Sequence, residues 1–150
     1  MRFIKINFVK EDKISITYEV KNNQGTFDKI SRVAFDEPAP EFTKAMDDLI
    51  PFAGELCEFR KEENKKLEVH AVYFSYHGEH DRLGVEMDIS RKLTKSSSKL
   101  FFTSPVRLEK ETESSKKDMS DEMGKAVNKL VAQATKYLEG HIKSTKLDLE

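Results

Sequence analysis

One cysteine, Cys57, is all the thiol that this 150-residue chain carries. An intramolecular disulfide is impossible, and a disulfide-stapled secreted scaffold is excluded. Four histidines beside a single thiol also cannot build the usual cysteine-rich zinc modules. Long apolar runs are missing as well. The opening MRFIKINFVKEDK interrupts its apolar residues with charge, so neither a signal peptide nor a membrane span is expected. Net charge is nearly absent: 26 Lys and Arg against 27 Asp and Glu leave −1. No global field therefore steers the molecule onto nucleic acid or an anionic membrane, and any electrostatic partner must meet a local patch. A G-x-S-x-G elbow and a Gly-rich phosphate loop are also lacking, and no linked nucleophile, base or metal set replaces them. The expectation is a non-enzymatic, cytoplasmic protein that needs no cofactor.

Ten Phe and four Tyr argue against disorder, and the length suits one domain, placed at residues 1–140 with 141–150 as a tail. From Arg2 to Val9, Ile4, Ile6 and Phe8 alternate with Lys5 and Asn7. From Lys13 to Val20, Ile14, Ile16, Tyr18 and Val20 alternate with Ser15, Thr17 and Glu19. Period two predicts two half-buried strands joined by the charged connection Lys10 to Asp12. Lys21 to Gly25 is turn chemistry, and Thr26 to Phe35 predicts a third strand with Phe27, Val33 and Phe35 on one parity. Its charges, Asp28, Lys29 and Arg32, suit an exposed face or an edge position.

Pro38 and Pro40 end the sheet and open a helix whose stripe is Phe42, Ala45, Met46, Leu49, Ala53 and Leu56. Pro51 sits inside that stripe and would cost about 3 kcal/mol in a regular helix, which predicts a kink or a break near Ile50. Leu67 to Tyr76 has apolar residues on both parities, the pattern of a central strand covered on both faces. Leu83 to Ile89 is its hairpin partner, and Leu100 to Thr103 a further short strand. Arg107 to Asp118 has no apolar period and reads as a solvated linker. The last helix carries Met123, Ala126, Val127, Leu130, Ala134, Tyr137 and Leu138, with Ser120 as N-cap and Gly140 as its stop. The order βββα-βββα predicts an α+β fold: an antiparallel sheet of five or six strands with two helices on one face.

Three clusters invite a functional reading. His77, Glu79, His80 and Asp81, with His70 upstream, offer metal-ligand types but no helical frame, so a polar hairpin turn is expected and no metal, with His77, His80 and Asp81 the only weak candidates. Asp47 and Asp48 are adjacent carboxylates, which on a helix point about 100° apart and share no substrate atom. Charge layout says more. Between Asp36 and Glu58 seven acids, Glu41, Asp47, Asp48 and Glu55 among them, face Lys44 alone, a local charge of −6. Arg91, Lys92, Lys95 and Lys99 bring four bases and no acid into nine residues. The acidic helix is a partner-binding candidate that can imitate a phosphate backbone, or a face that keeps the domain soluble. The basic, Ser-rich loop can bind phosphate or an acidic partner, with Phe101 and Phe102 available to stack on bases, or it is a solvated hairpin loop beside two core rings.

The segments FDEPAPEF, AMDDLIPFAGEL, LEVHAVYFSYHGEHDRLGVEMDISRKL, LFFTSPVRL and KLVAQATKYLEGH resemble a family of small proteins encoded in phages and prophages. The resemblance implies an accessory protein of phage DNA metabolism or an anti-defence inhibitor of the anti-CRISPR kind, and assigns no residue a role. Two functions are expected from it and the charge layout. One is an inhibitor that binds a host protein, such as a CRISPR nuclease, through its opposed charge patches. The other is a single-stranded nucleic-acid-binding protein working through the 91–99 loop. A homodimer is a further expectation, with Tyr73, Phe74 and Tyr76 supplying apolar surface on an uncovered sheet face.

Overall fold

The computed structural model describes residues 1–10, 13–110 and 115–149, with side chains for all of these except Lys10 and residues 143–149. Strands β1 (Arg2–Lys10), β2 (Lys13–Lys21) and β3 (Phe27–Ala34) precede helices α1 (Pro40–Asp47) and α2 (Ile50–Leu56) and a 3-10 stretch over Lys61–Lys66. Then come β4 (Leu67–His77), β5 (Arg82–Lys92), β6 (Lys99–Thr103), β7 (Arg107–Leu108) and α3 (Asp121–Leu149). In the β1–β2 connection, Glu11 and Asp12 lie outside the described residues. All named strand pairs are antiparallel, in the order β3-β2-β1-β4-β5-β6. The seventh strand, β7, pairs β5 beyond the end of β6.

The helices cover one face only. On that side one cross-strand row is Arg32, Ile16, Ile6, Val72 and Met87, and another is Ile30, Tyr18 and Phe3. Against these rows α1 and α2 set Phe42, Met46, Leu49 and Ala53, and α3 sets Met123, Val127, Leu130, Ala134 and Leu138, all buried. Burial at about 25 cal/mol per Å² of apolar surface makes this single layer the main source of stability. Pro51 does break the first helix: α1 ends at Asp47 and α2 restarts at Ile50 with Pro51 in its first turn, where its missing N–H costs nothing. Three helices thus do the work expected of two.

Two bulges decide which side chains face the core. Between Phe3 and Lys5 the β1–β2 register shifts, so Phe3, rather than Ile4, joins Ile6 in the core. Between Val69 and Ala71 the β4–β5 register shifts again, and the inward set changes from Leu67 and Val69 to Val72 and Phe74. The apolar residues on both parities of β4 therefore reflect this change of phase, not cover on both faces. In β3 the apolar parity is also reversed from the usual sense: Phe27 and Val33 lie outward and exposed, while Ile30, Arg32 and Ala34 turn toward the helices.

Two further expectations are corrected at the C-terminal end. Arg107 to Asp118 is not a bare linker. Arg107 and Leu108 form β7, Leu108 bridges to Asp118, and Met119 N–H donates to the Leu108 carbonyl at 2.7 Å. Glu111 to Ser114, within that segment, lie outside the described residues. Nor does Gly140 stop α3, which continues to Leu149. A helical glycine costs only about 1 kcal/mol, and the turn around it is tied down where Tyr137 Oη donates to the Asp36 carbonyl at 2.8 Å. Ser120 does cap the helix, its Oγ accepting from Met123 N–H at 3.1 Å.

Arg82 holds the β7 segment to the sheet. Its Nε donates to the Glu109 carbonyl at 2.6 Å, and its terminal nitrogen pairs with Asp118, whose side chain is 3% exposed. Removing only the cation leaves that carboxylate buried and unpaired. Arg82→Ala is therefore expected to cost about 3 kcal/mol by urea denaturation, and Arg82→Ala with Asp118→Ala together less than the sum of the two single losses.

Candidate functional site

The four bases of the 91–99 loop do not form one patch. Strand alternation sends Arg91 to the helix side, where its guanidinium pairs with Glu63 at 3.0 Å. Lys92 lies on the other side, opposite Lys99, and Lys99 reaches Glu68 at 3.4 Å. Lys95 sits at the exposed hairpin tip, closed by Leu93 N–H donating to the Ser98 carbonyl. The two aromatics part in the same way. Phe102 packs edge-on against Phe59 at 5.4 Å, whereas Phe101 is 72% exposed beside the His70 ring.

The acids are scattered too. Glu41 and Asp48 line a shallow groove with Lys129 of α3, and Asp48 pairs with Lys44 at 3.1 Å. Glu55 and Glu58 border a separate cleft of about 540 Å³ with Arg107 and Lys116 on its other wall. Asp47 alone meets more acid: burial first, then the Glu68 and Asp48 charges, push its carboxyl above 3.8. The −6 stretch therefore resolves into three unlike environments, two of them with cations nearby.

His77, His80 and Asp81 make no metal set, and among the described residues no three His, Cys, Asp or Glu side chains gather as one. His77 Nε2 lies 2.6 Å from Ser75 Oγ, and Asp81, in a left-handed turn at φ 49°, lies 3.6 Å from Arg2. Cys57 is a half-buried small side chain whose thiol burial pushes up. No helix among the described residues is long and apolar enough to cross a membrane.

What the fold does assemble is the sheet face that no helix covers. One row across it reads Ser31, Thr17, Lys5, Tyr73 and Glu86; the next reads Val33, Ser15, Asn7, Ala71, Asp88 and Thr103. Among the described residues the β1–β3 half carries Arg2, Lys5, Lys13, Lys21 and Lys29 against Glu19 alone, and Arg2 already holds Glu19 at 2.8 Å. Among the described residues none of the four lysines has a carboxylate within ion-pair distance. Rings accompany them. Lys5 Nζ lies 4.9 Å from the Tyr73 ring centre, Lys13 Nζ 5.8 Å from that of Phe35, and Arg2 stacks on Phe27 at 3.9 Å. Phe35 itself is 70% exposed. Of the rings expected to supply apolar surface here, only Tyr73 lies on this face. Phe74 and Tyr76 turn toward the helices, where Phe74 is buried and the Tyr76 hydroxyl donates to the Phe3 carbonyl.

The lysines were invisible as a cluster in the sequence because each occupies a polar position of a different strand or strand end. Their signal was the parity: Lys5, Lys13 and Lys21 fall opposite the apolar residues of their strands, whereas Lys29 shares the parity of Phe27 and Val33 and gave none. Comparison with protein-family models, curated proteins and solved structures finds no match to this chain.

The crowding of Asp47 has a measurable sign. A carboxyl held above 3.8 in the folded state weakens the fold as it ionises; the penalty is absent below 3.8, where folded and unfolded chains both keep the proton, and complete above the raised value. Asp47→Asn should raise stability near neutral pH by less than about 1 kcal/mol at this solvated position, and thermal melts should show the gain vanish as pH falls below 3.8.

Proposed function

We propose that this protein is a non-enzymatic binding protein whose working surface is the helix-free face of the sheet, and that it binds single-stranded nucleic acid along the β1–β3 half. The observation that carries the reading is the lysine set Lys5, Lys13, Lys21 and Lys29, which has no carboxylate partner among the described residues and is interleaved with exposed or half-exposed rings and with the hydroxyls of Ser15 and Ser31. Lysines neutralise phosphates, hydroxyls donate to phosphate oxygens, and ring faces accept unpaired bases whatever their sequence. A flat sheet displays these groups at regular spacing, about 4.8 Å between strands, on a surface open to an extended polymer.

Binding is measured by fluorescence anisotropy of a labelled oligothymidylate at low salt. Replacement of Lys5, Lys13 and Lys29 by Ala should weaken it at least about tenfold and flatten the dependence of log K on log salt by about 2, at roughly 0.7 per phosphate contact. Replacement of Arg91, Lys92, Lys95 and Lys99 should change it little, since Arg91 and Lys99 are already engaged. No binding at low salt, or loss only in the 91–99 variant, overturns the reading.

A second reading, an inhibitor that contacts a host protein such as a CRISPR nuclease, is favoured by one observation: Asp47, Asp48 and Glu68 crowd together from α1, its C-cap and β4. A basic surface on a nucleic-acid-binding partner would relieve that repulsion. Its signature is inhibition of the partner's cleavage that Asp47→Asn weakens and the lysine variant does not.

A further inference from the structure

The sheet has two edges, and they are treated differently. β6 is five residues long and is followed, after Ser104, by Pro105, which limits what can pair with it. β3 runs eight residues without a proline, and it pairs β2 from Phe27 to Ala34 with no bulge. Among the described residues its outer side meets no other strand. Apolar side chains stand exposed along this edge at Phe27 (43%), Val33 (46%) and, just beyond it, Phe35. Such an edge is a template for another strand.

We propose that the partner strand is β3 of a second copy of this chain, paired antiparallel about a two-fold axis at Ile30. The sequence Phe27-Asp28-Lys29-Ile30-Ser31-Arg32-Val33 is self-complementary in that register. Asp28 faces Arg32 of the partner subunit and Phe27 faces Val33 of the partner subunit, and symmetry repeats both pairs. Residues directly opposite in antiparallel strands share a face, so the axis must fall on a residue. Moving it one residue back to Lys29 sets Asp28 against Ile30 and Phe27 against Ser31. Moving it one residue on to Ser31 sets Lys29 against Val33 and Ile30 against Arg32. Only the Ile30 register matches charge with opposite charge and apolar with apolar, the cross-strand pairings that stabilise sheets.

The side chains are placed for it. Asp28 is exposed and holds only Asn22 Nδ2, at 3.1 Å. Arg32 is fixed through Nε, which donates to Tyr18 Oη at 3.0 Å, and its terminal nitrogens meet no carboxylate among the described residues. Pairing joins two six-strand paths into one twelve-strand sheet with all helices on one side. It also brings the two β1–β3 lysine halves together, although the dimer does not depend on what they bind.

Sedimentation equilibrium across a concentration series should give a mass twice 17.3 kDa for the unaltered protein. Asp28→Arg and Arg32→Asp should each shift the equilibrium to monomer, since each sets like charges opposite one another twice. Mixing the two variants should restore the dimer, because each then carries the charge that the other's altered residue requires. In a Cys57→Ser background, Phe27→Cys and Val33→Cys chains should form a disulfide-linked pair when mixed, and neither should link to itself. A monomer at every concentration, no recovery on mixing, or Phe27→Cys chains linking to one another overturns the proposal. Arg32→Asp also removes the Tyr18 bond, so circular dichroism checks its fold; Asp28→Arg, at an exposed site, carries the charge test even if the other variant unfolds.

Discussion

Leu130 and Ala134 lie fully out of water, and the stripe of α3 from Met123 to Leu138 shares one buried core with side chains from β1, β2, β4 and β5. With α1 and α2, α3 places the helices of the described residues on one side. Among the described residues no further helix lies on the other face, so that face must be stable in water on its own. Its make-up follows from this constraint. Hydroxyls, lysines and short cross-strand hydrogen bonds occupy positions that a helix would otherwise have required to be apolar.

Those hydrogen bonds give the bare face a fixed surface. Thr17 and Ser31 hydroxyls meet at 3.0 Å, His70 meets Ser90 at 2.6 Å, and Asp88 accepts from both Tyr73 and Thr103. The bond to Asp88, with burial behind it, pushes the Tyr73 phenol above its ordinary value, so it stays protonated and donating. Gly84 belongs to this layer as well. A Cβ there would come within 2.7 Å of both His77 Nε2 and Ser75 Oγ, so the glycine leaves room for that pair.

Much of the fold was legible because strands and helices wrote their periods plainly. The alternation in β2, the stripe of α3 and the proline break at Ile50 all rest on local chemistry that the sequence displays. The bulges were not legible. A one-residue phase change in β1 and β4 alters which side chains face the core, and only pairing with a neighbour reveals it. The linker reading failed for a similar reason: β7 is two residues long, too short for a period, and owes its place to Arg82 and Asp118, which lie 36 residues apart in sequence. Charge was the least legible. Counting along the chain groups Arg91 with Lys92, yet alternation sends these neighbours to opposite sides of the sheet.

That last point changes what the near-zero net charge means. Two acids of the bare face are paired with cations, Glu19 with Arg2 and Glu68 with Lys99, while Asp88, held by two neutral hydroxyl donors, and Glu86 keep their charge on the far strand β5. Lys5, Lys13, Lys21 and Lys29 have no such local partner among the described residues. Fields at a surface follow the uncompensated charges within a Debye length, about 8 Å at physiological salt, and not the sum over the chain. Among the described residues the β1–β3 half of the face is therefore positive in a protein whose total is −1, and an anionic ligand approaching that half meets lysines that no described carboxylate neutralises.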